Sequence, residues 1–244
     1  MSPRLLVFQH DALSPLGSLG EFLQSDGIVP TIVEPHRGDA FPNPGEFDIL
    51  FLLGGQMEVW QEREHPWLVV EKEVIRNWVM ELDKPLLGIC LGHQLLADAL
   101  GGRVVRADRG EANLTAINIS NAGQNHALYD GFDPVKRGLS WHGSEIQTLP
   151  RGAVRLASTL DCEFAAMSIG TAAVGVQYHV EATGPQVDVW FETPKEAAHL
   201  ERLHGHDGAS LVRRVVANAI PELRANARRF YDNFMRLAQK SCIR

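Results

Sequence analysis

The most constraining feature of the sequence is a cysteine placed between a short apolar segment and a segment with helical periodicity. Residues 85–89 are apolar, as expected of a short buried strand. Leu91, Leu95 and Ala99 then recur at the spacing of one helix face. Cys90 therefore falls on the turn between a predicted strand and a predicted helix.

Two glycines, Gly88 and Gly92, flank Cys90 at two residues on either side. Glycines at these positions let the chain bend sharply and leave room beside a nucleophile, as in the Gly-x-Ser-x-Gly elbow. The positive end of the helix dipole also favours a thiolate at a helix N-terminus. The pattern predicts that Cys90 is a nucleophile. A buried, unreactive cysteine beside a tight turn is the alternative.

Composition and charge exclude several classes of protein. The chain has 244 residues and a net charge of −7, without a basic patch that would attract nucleic acid or an anionic membrane. Its three cysteines, Cys90, Cys162 and Cys242, cannot form a disulfide framework. No apolar run approaches the roughly 18 residues that a spanning helix needs. We expect a cytoplasmic protein with no nucleic-acid or membrane partner.

Apolar strands alternate with helical segments through the first half of the chain. Residues 49–53 form an unbroken apolar run, which is typical of a parallel strand covered on both faces. Ser14 and Pro15 predict the start of a helix after the first strand. From residue 103 to 147, shorter apolar pieces predict antiparallel strands. We therefore expect a three-layer α/β fold, with a mostly parallel central sheet flanked by helices and a smaller antiparallel region.

The chain is predicted to be helical from about residue 185 to its end. Prolines and glycines divide this part into helices over residues 185–191, 194–203 and 209–219 and from Pro221 onward. We interpret residues 1–244 as one domain that carries this helical extension.

A cysteine nucleophile needs a base, and His179 is the best placed of the ten histidines. It ends an apolar strand, and Glu181 follows it by two residues. Residues two apart in an extended chain share a face, so the carboxylate can hold one imidazole nitrogen while the other faces the thiol. Cys90, His179 and Glu181 are therefore the predicted catalytic residues. A solvent-exposed His–Glu pair at a strand end is the alternative.

Gly54 and Gly55 directly follow the apolar run of residues 49–53. Two glycines after a buried strand leave backbone N–H groups free to face a developing oxyanion, and the N–H of Leu91 would be a second donor. An ordinary Gly-Gly turn between a strand and a helix is the alternative.

Taken together, these motifs resemble the class I (triad) glutamine amidotransferase family. The resemblance is carried by Gly54-Gly55, Gly88-x-Cys90-x-Gly92-x-Gln94 and His179-x-Glu181, in that order. It is closest to free-standing members related to the glutaminase domain of GMP synthase, and it implies their flavodoxin-like fold. Gln56 and Val180 stand where the family usually has proline, so each loosens a backbone that proline would fix.

The resemblance also implies roles for individual residues. Cys90 would form the thioester, His179 would be the base and acid, and Glu181 would orient it. Gly55 and Leu91 would be the oxyanion donors, while Gln94 and Gly54 would contact the substrate glutamine. Three further residues lie where family members hold the amino-acid end of the substrate: Ser140, Trp141 and His142. Trp141 as a core residue is the alternative.

The expected reaction is hydrolysis of the glutamine γ-amide to glutamate and ammonia, without a cofactor. A separate ammonia-accepting synthetase is the expected partner. Two alternatives stay open: a γ-glutamyl peptide hydrolase with the same triad, and a catalytically silent binding or regulatory protein. His204, His206 and Asp207 lie in one turn without a distant partner, so we interpret them as a solvated loop and predict no metal site.

Overall fold

The computed structural model describes residues 2–241, and a sheet of nine strands runs through this part of the chain. The strands are β1 Leu5–Phe8, β2 Thr31–Val33, β3 Ile49–Leu52, β4 Leu86–Ile89, β5 Arg103–Ile119, β6 Val135–Thr148, β7 Val154–Ser158, β8 Ala166–Ile169 and β9 Ala173–Val176. Their order across the sheet is β2-β1-β3-β4-β9-β8-β7-β5-β6.

The first half of the sheet is parallel and buried on both faces. Strands β2, β1, β3, β4 and β9 all pair in parallel. Every residue of β1, β3, β4 and β9 is buried. These strands therefore read as continuous apolar runs, as the sequence of residues 49–53 predicts.

The second half of the sheet is antiparallel and continues the first without interruption. β8 pairs with β9, β7 with β8, and β5 with both β7 and β6. The shorter pieces predicted between residues 103 and 147 are two long strands, β5 and β6. The polar and glycine residues that suggested strand ends instead mark a register shift in the ladder between Arg106 and Glu111.

Helices cover both faces of the sheet: α1 Gly17–Ser25, α2 Trp67–Met80, α3 Leu91–Ala99, α4 Asn121–Gln124, α5 Gly184–Glu192 and α6 Pro194–Ser241. On one face, Phe22 of α1 and Phe234 of α6 pack with Val7 and Phe51. On the other, the side chains of α2 and α3 pack with Phe8 and Leu52. The predicted α/β class, a central sheet flanked by helices, is confirmed. Among the helices of residues 2–241, none combines the length and the apolarity needed to cross a bilayer.

The predicted start of the first helix is wrong. The first helix begins at Gly17 rather than at Ser14 and Pro15, because the backbone N–H of Ser18 donates to the carbonyl of Glu181 at 2.8 Å. A tertiary contact therefore sets this start, and no side chain caps it.

The C-terminal helices are fewer than predicted. The break predicted between residues 203 and 209 is present as a kink at Gly205, which has a φ of 69°, whereas the helix continues through Pro221 without the predicted break. Pro221 removes one N–H donor, while Leu223, Ala227 and Phe230 pack into the core directly after it. This burial holds the helix together across the proline.

Candidate active site

Cys90 lies on the turn between β4 and α3, as the sequence predicts. Its backbone has a φ of 51° and a ψ of −105°, a region that side chains disfavour at a cost of about 1–3 kcal/mol. The N–H of Cys90 donates to the carbonyl of Val176 at 2.9 Å, and its own carbonyl accepts from Gln94 N at 3.1 Å. The adjacent strand β9 and the first turn of α3 thus hold the strained turn in place.

The two flanking glycines are required by close backbone packing. A Cβ atom on Gly92 would lie 2.2 Å from the carbonyl oxygen of Leu52, and one on Gly88 would lie 2.5 Å from the carbonyl oxygen of Gly92. Positive φ is found at Cys90 itself and at neither of these glycines. The bend is therefore made by the cysteine, and the glycines let the start of α3 pack directly on β3.

His179 follows strand β9 and is held by β6. Its backbone N–H donates to the carbonyl of Leu139 at 2.8 Å. Its Nδ1 lies 2.6 Å from Oε1 of Glu181, and both side chains are buried. The pair is therefore not solvent-exposed, which removes the alternative interpretation of these two residues.

Cys90 and His179 converge on one backbone carbonyl. The Sγ atom of Cys90 lies 3.8 Å from the carbonyl oxygen of Trp141, and Nε2 of His179 lies 3.4 Å from the same oxygen. Burial lowers the pKa of His179, but the charges and hydrogen bonds of Glu181 and Cys90 outweigh burial and raise that pKa well above its usual range. The site therefore favours an imidazolium beside the sulfur.

Gly55 and Leu91 lie together beside Cys90. A Cβ atom on Gly55 would lie 2.7 Å from Cδ2 of Leu91, and both residues line a cavity that includes Cys90. Within residues 2–241, neither backbone N–H has a hydrogen-bond partner. Their arrangement fits the predicted pair of oxyanion donors.

Two connected cavities open at Cys90. The smaller, of about 340 Å³ including space open to solvent, is lined by Cys90, His179 and Trp190 among others. The larger, of about 1180 Å³ including space open to solvent, extends past Gln94 to Arg106.

The predicted substrate residues divide into three that line a cavity and two that do not. Trp141 and His142 line the larger cavity, whereas Gly54 and Ser140 are buried and line neither of the two cavities around Cys90. Gln94 also lines the larger cavity, and its Nε2 donates to the carbonyl of Ser144 at 2.9 Å and to Oε1 of Gln177 at 3.1 Å. Both amide hydrogens of Gln94 therefore have partners, which leaves Oε1 as its group for a ligand.

Trp141 is both a core residue and part of the cavity wall. Its ring centroid lies 5.7 Å from that of Trp190 and 5.2 Å from that of Phe191. Its indole N–H donates to Oε2 of Glu196 at 2.7 Å. The two interpretations of Trp141 from the sequence are therefore compatible.

The sequence reasoning missed a buried ion pair behind Gly54. His10 and Glu71 are fully buried, with His10 Nε2 at 2.8 Å from Oε1 of Glu71. His10 Nδ1 lies 3.0 Å from the carbonyl oxygen of Leu53 and 3.1 Å from that of Gly54. Burial lowers the pKa of His10, but Glu71 outweighs burial and raises it. Acceptors flank both ring nitrogens of His10, an arrangement that favours an imidazolium donating to Glu71 on one side and to the Leu53 and Gly54 carbonyls on the other.

The sequence reasoning also missed the residues that α5 and α6 bring to the cavities: Trp190, Lys195 and Glu196. The centroid of the Trp190 ring lies 4.7 Å from that of His179. No motif marks these residues, because their position depends on how the C-terminal helices fold back over the sheet.

The remaining candidates lie elsewhere. Cys162 is buried, and burial raises the pKa of its thiol. Cys242 lies outside the described residues. His204 Nε2 lies 3.1 Å from the carbonyl oxygen of Ala112, while His206 pairs with Glu201, so these two histidines do not converge.

Comparison with known proteins identifies the family. A family model described as glutamine amidotransferase class I matches residues 28–189. A glutamine-hydrolyzing GMP synthase subunit of Sulfolobus acidocaldarius is 34% identical over 137 residues, which cover 56% of this chain and 68% of that protein. The corresponding protein of Saccharolobus solfataricus is 32% identical over 151 residues, with 62% and 74% covered.

Solved structures show the same relationship. A glutamine amidotransferase from Thermotoga maritima superposes with a TM-score of 0.83 at 25% identity, covering 96% of this chain and 98% of that one. One from Methylobacillus flagellatus has a TM-score of 0.85 at 23% identity, with 98% and 96% covered. This chain belongs to the class I glutamine amidotransferase family and is an enzyme of that family.

Proposed function

We propose that the protein hydrolyses the γ-amide of glutamine through a γ-glutamyl thioester on Cys90. The observation that carries the proposal is the convergence of Cys90 Sγ and His179 Nε2 on the Trp141 carbonyl, with Glu181 2.6 Å behind the imidazole. A nucleophile, a base and an orienting carboxylate are the parts that acyl transfer requires.

In the first half of the reaction, the sulfur of Cys90 attacks the γ-carbonyl carbon and the C–N bond breaks. The proton held on Nε2 of His179 goes to the leaving nitrogen, which departs as ammonia. In the second half, His179 takes a proton from water as the water attacks the thioester, and glutamate leaves with the sulfur restored. Glu181 stays ionised and keeps the imidazole oriented.

Each half passes through a tetrahedral intermediate with a negative oxygen. The N–H groups of Gly55 and Leu91 are the proposed donors to this oxygen, because they lie beside Cys90 and have no partner within residues 2–241. Donors fixed in advance stabilise charge that develops only in the transition state, and losing one costs roughly 10² to 10³ in rate.

The amino-acid end of the substrate, with its α-ammonium group, is proposed to bind in the larger cavity. Oxygen Oε1 of Gln94 is the group left for a ligand there, and an acceptor suits the α-ammonium of an amino acid. Trp141 and His142 complete this side of the proposed site, while Gly54 and Ser140 line neither cavity and would act only by packing behind it.

The proposed acceptor of ammonia is a separate synthetase. Two relatives are named as individual subunits of a glutamine-hydrolyzing GMP synthase, which supports a division of labour between a glutamine-hydrolysing chain and a second protein. The amidated product is left open by this proposal.

The larger cavity favours a second candidate, hydrolysis of γ-glutamyl peptides. It extends from Cys90 to Arg106 and Arg202 and is open to solvent, so a leaving group larger than ammonia could be accommodated there. The same triad and oxyanion donors would serve this reaction. The two functions differ only in the group that leaves as the thioester forms.

A substrate comparison tests both candidates. We expect a higher kcat/KM for glutamine than for γ-glutamyl dipeptides, with the acyl-enzyme on Cys90 detected by mass spectrometry and absent from Cys90→Ala. A preference for a dipeptide by more than about tenfold, equivalent to about 1.4 kcal/mol, would replace glutamine by the peptide as substrate. Turnover by folded Cys90→Ala would overturn both candidates.

A further inference from the structure

The first turn of α6 is fastened to two separate parts of the proposed active site by one carboxylate. Oε1 of Glu196 accepts from Nε2 of Gln56 at 2.9 Å, and Oε2 accepts from Nε1 of Trp141 at 2.7 Å. The neighbouring Lys195 donates from Nζ to the carbonyl of Gln56 at 2.8 Å. Glu196 is half-buried at this place.

Both parts held by Glu196 border the reacting atoms. Gln56 follows Gly55, whose N–H is a proposed oxyanion donor. Trp141 carries the carbonyl that lies 3.8 Å from Cys90 Sγ and 3.4 Å from His179 Nε2. Glu196 therefore spans the active site from the oxyanion side to the side of the nucleophile and base.

The two peptide units around Gly55 are each held from outside. Nδ1 of His10 lies 3.1 Å from the carbonyl oxygen of Gly54, and Oδ2 of Asp11 accepts from the N–H of Gln56 at 2.9 Å. A trans peptide is planar, with its N–H pointing opposite to its C=O. His10 therefore restrains the peptide that carries the Gly55 N–H from one side, and the contacts of α6 with Gln56 restrain the loop from the other.

Gln56 makes contacts that proline cannot make. Proline has no backbone N–H for Asp11 and no side-chain amide for Glu196. Where a proline ring would stiffen the loop through its φ angle, Gln56 donates hydrogen bonds to Asp11 and Glu196 and accepts one from Lys195. The rigidity of the oxyanion loop therefore depends on α6.

We propose that Glu196 is a positioning residue that aligns the Gly55 N–H by holding Gln56 and Trp141 together. The inference rests on the proposed function, because it assigns Glu196 to the same oxyanion site. A carboxylate suits the task because each of its two oxygens accepts one hydrogen bond, whereas an amide offers a single acceptor oxygen.

If Glu196 aligns the oxyanion donor, its replacement should lower kcat while KM stays nearly constant. We expect Glu196→Ala to lower kcat by roughly 10- to 100-fold, less than the roughly 10² to 10³ of a deleted donor, because the N–H remains but is misaligned. Glu196→Gln is close in shape and keeps one of the two contacts, so it should fall between Glu196→Ala and the wild type. It also serves as the test if Glu196→Ala does not fold.

The rate of Cys90 alkylation distinguishes misalignment of the oxyanion donor from a general loss of order in the active site. Alkylation of Cys90 by iodoacetamide is a displacement at carbon that forms no oxyanion. We expect its rate to be unchanged in Glu196→Ala while kcat falls. Because Glu196 acts through Gln56, the double variant Glu196→Ala with Gln56→Ala should be about as slow as the slower single variant.

Glu201→Ala is the matched control, since it removes the same charge from the same helix. Glu201 is exposed and contacts His206, away from both cavities. It should leave kcat, KM and the alkylation rate unchanged.

The experiment is run with whichever of glutamine and the γ-glutamyl dipeptides the wild type prefers. An unchanged kcat in Glu196→Ala, or a raised KM at constant kcat, would overturn the positioning role, the second because it would make Glu196 a substrate contact. A parallel fall in kcat and in alkylation would also overturn it. A wild type inactive on every substrate would overturn the proposed function and, with it, the role given to Glu196.

Discussion

The carboxylate of Glu181 lies 2.6 Å from Nδ1 of His179, and the backbone carbonyl of the same glutamate accepts from Ser18 N at 2.8 Å. A Cβ atom on Gly17 would lie only 2.1 Å from that carbonyl oxygen. The start of α1 is thus packed against the residue that holds the imidazole. Such a carboxylate keeps the ring in one tautomer and one orientation, which is what a general base requires.

Removing either member of this pair should slow turnover by different amounts. We expect His179→Ala to lower kcat on the order of 10⁴-fold or more, because it removes the group that transfers the proton. Glu181→Gln should lower kcat by a smaller factor, on the order of 10², because the base remains but its orientation and charge are no longer supported. Steady-state kinetics on folded variants would check this, and wild-type rates in both would place the base elsewhere.

The packing of Gly92 on β3 should make this glycine irreplaceable. In Gly92→Ala the new Cβ would meet the Leu52 backbone at 2.2 Å, so the elbow and the strand must move apart. We expect a loss of about 3 kcal/mol or more in the free energy of unfolding, measured by urea denaturation.

Gly184→Ala provides the comparison for Gly92→Ala. No atom lies within 4 Å of a Cβ added at Gly184, so unfolding should change by less than about 1 kcal/mol. Equal effects of the two substitutions would show that close packing does not explain Gly92.

Cys90 should be the thiol that a glutamine-mimicking electrophile labels first. It lies at the N-terminus of α3 beside a histidine whose pKa is raised, and it borders both cavities. Cys162 is buried with a raised thiol pKa, so it should react far more slowly. Peptide mapping by mass spectrometry would locate the adduct, and an unmodified Cys90 beside a labelled Cys162 would end its assignment as nucleophile.

The sequence predicted those parts of the fold that depend on local pattern. Strand β3 could be recognised because a parallel strand covered on both faces is apolar throughout. The start of α1 could not, since it depends on the contact of Ser18 with Glu181, more than a hundred residues away in the chain. The helix through Pro221 was also missed, because burial of the residues after it overrides the local signal. The single domain over residues 1–244 stays a prediction.

The candidate site was predictable where a motif fixes its own geometry. Cys90 sits on a turn between adjacent elements, and His179 and Glu181 share a face because they are two residues apart. Their approach to each other required the sheet order that places β9 beside β4. Glu196 and His10 carry no motif, since each reaches the site through folding of a distant segment. Their contacts with the site appear only in the three-dimensional structure.

A buried histidine in the elbow should make stability fall in acid. His93 is fully buried, its Nε2 lies 2.8 Å from the carbonyl oxygen of Phe164, and its Nδ1 has no partner within residues 2–241. Burial lowers the pKa of His93 from 6.5 to about 4. The unfolded chain therefore takes up a proton as pH falls below about 6.5, while the folded chain resists until about pH 4.

The resulting loss is about 3 kcal/mol in the free energy of unfolding between these pH values, at about 1.4 kcal/mol for each unit of pKa. His179 and His10 act in the opposite sense, because folding raises their pKa values. Each stabilises the folded state fully below its unfolded pKa, and this stabilisation is lost as pH rises through its folded pKa. Comparison with His93→Gln isolates His93, since glutamine does not titrate. Urea denaturation from pH 7 to 4.5 should show the two stability curves converging in acid, and parallel curves would contradict the assignment.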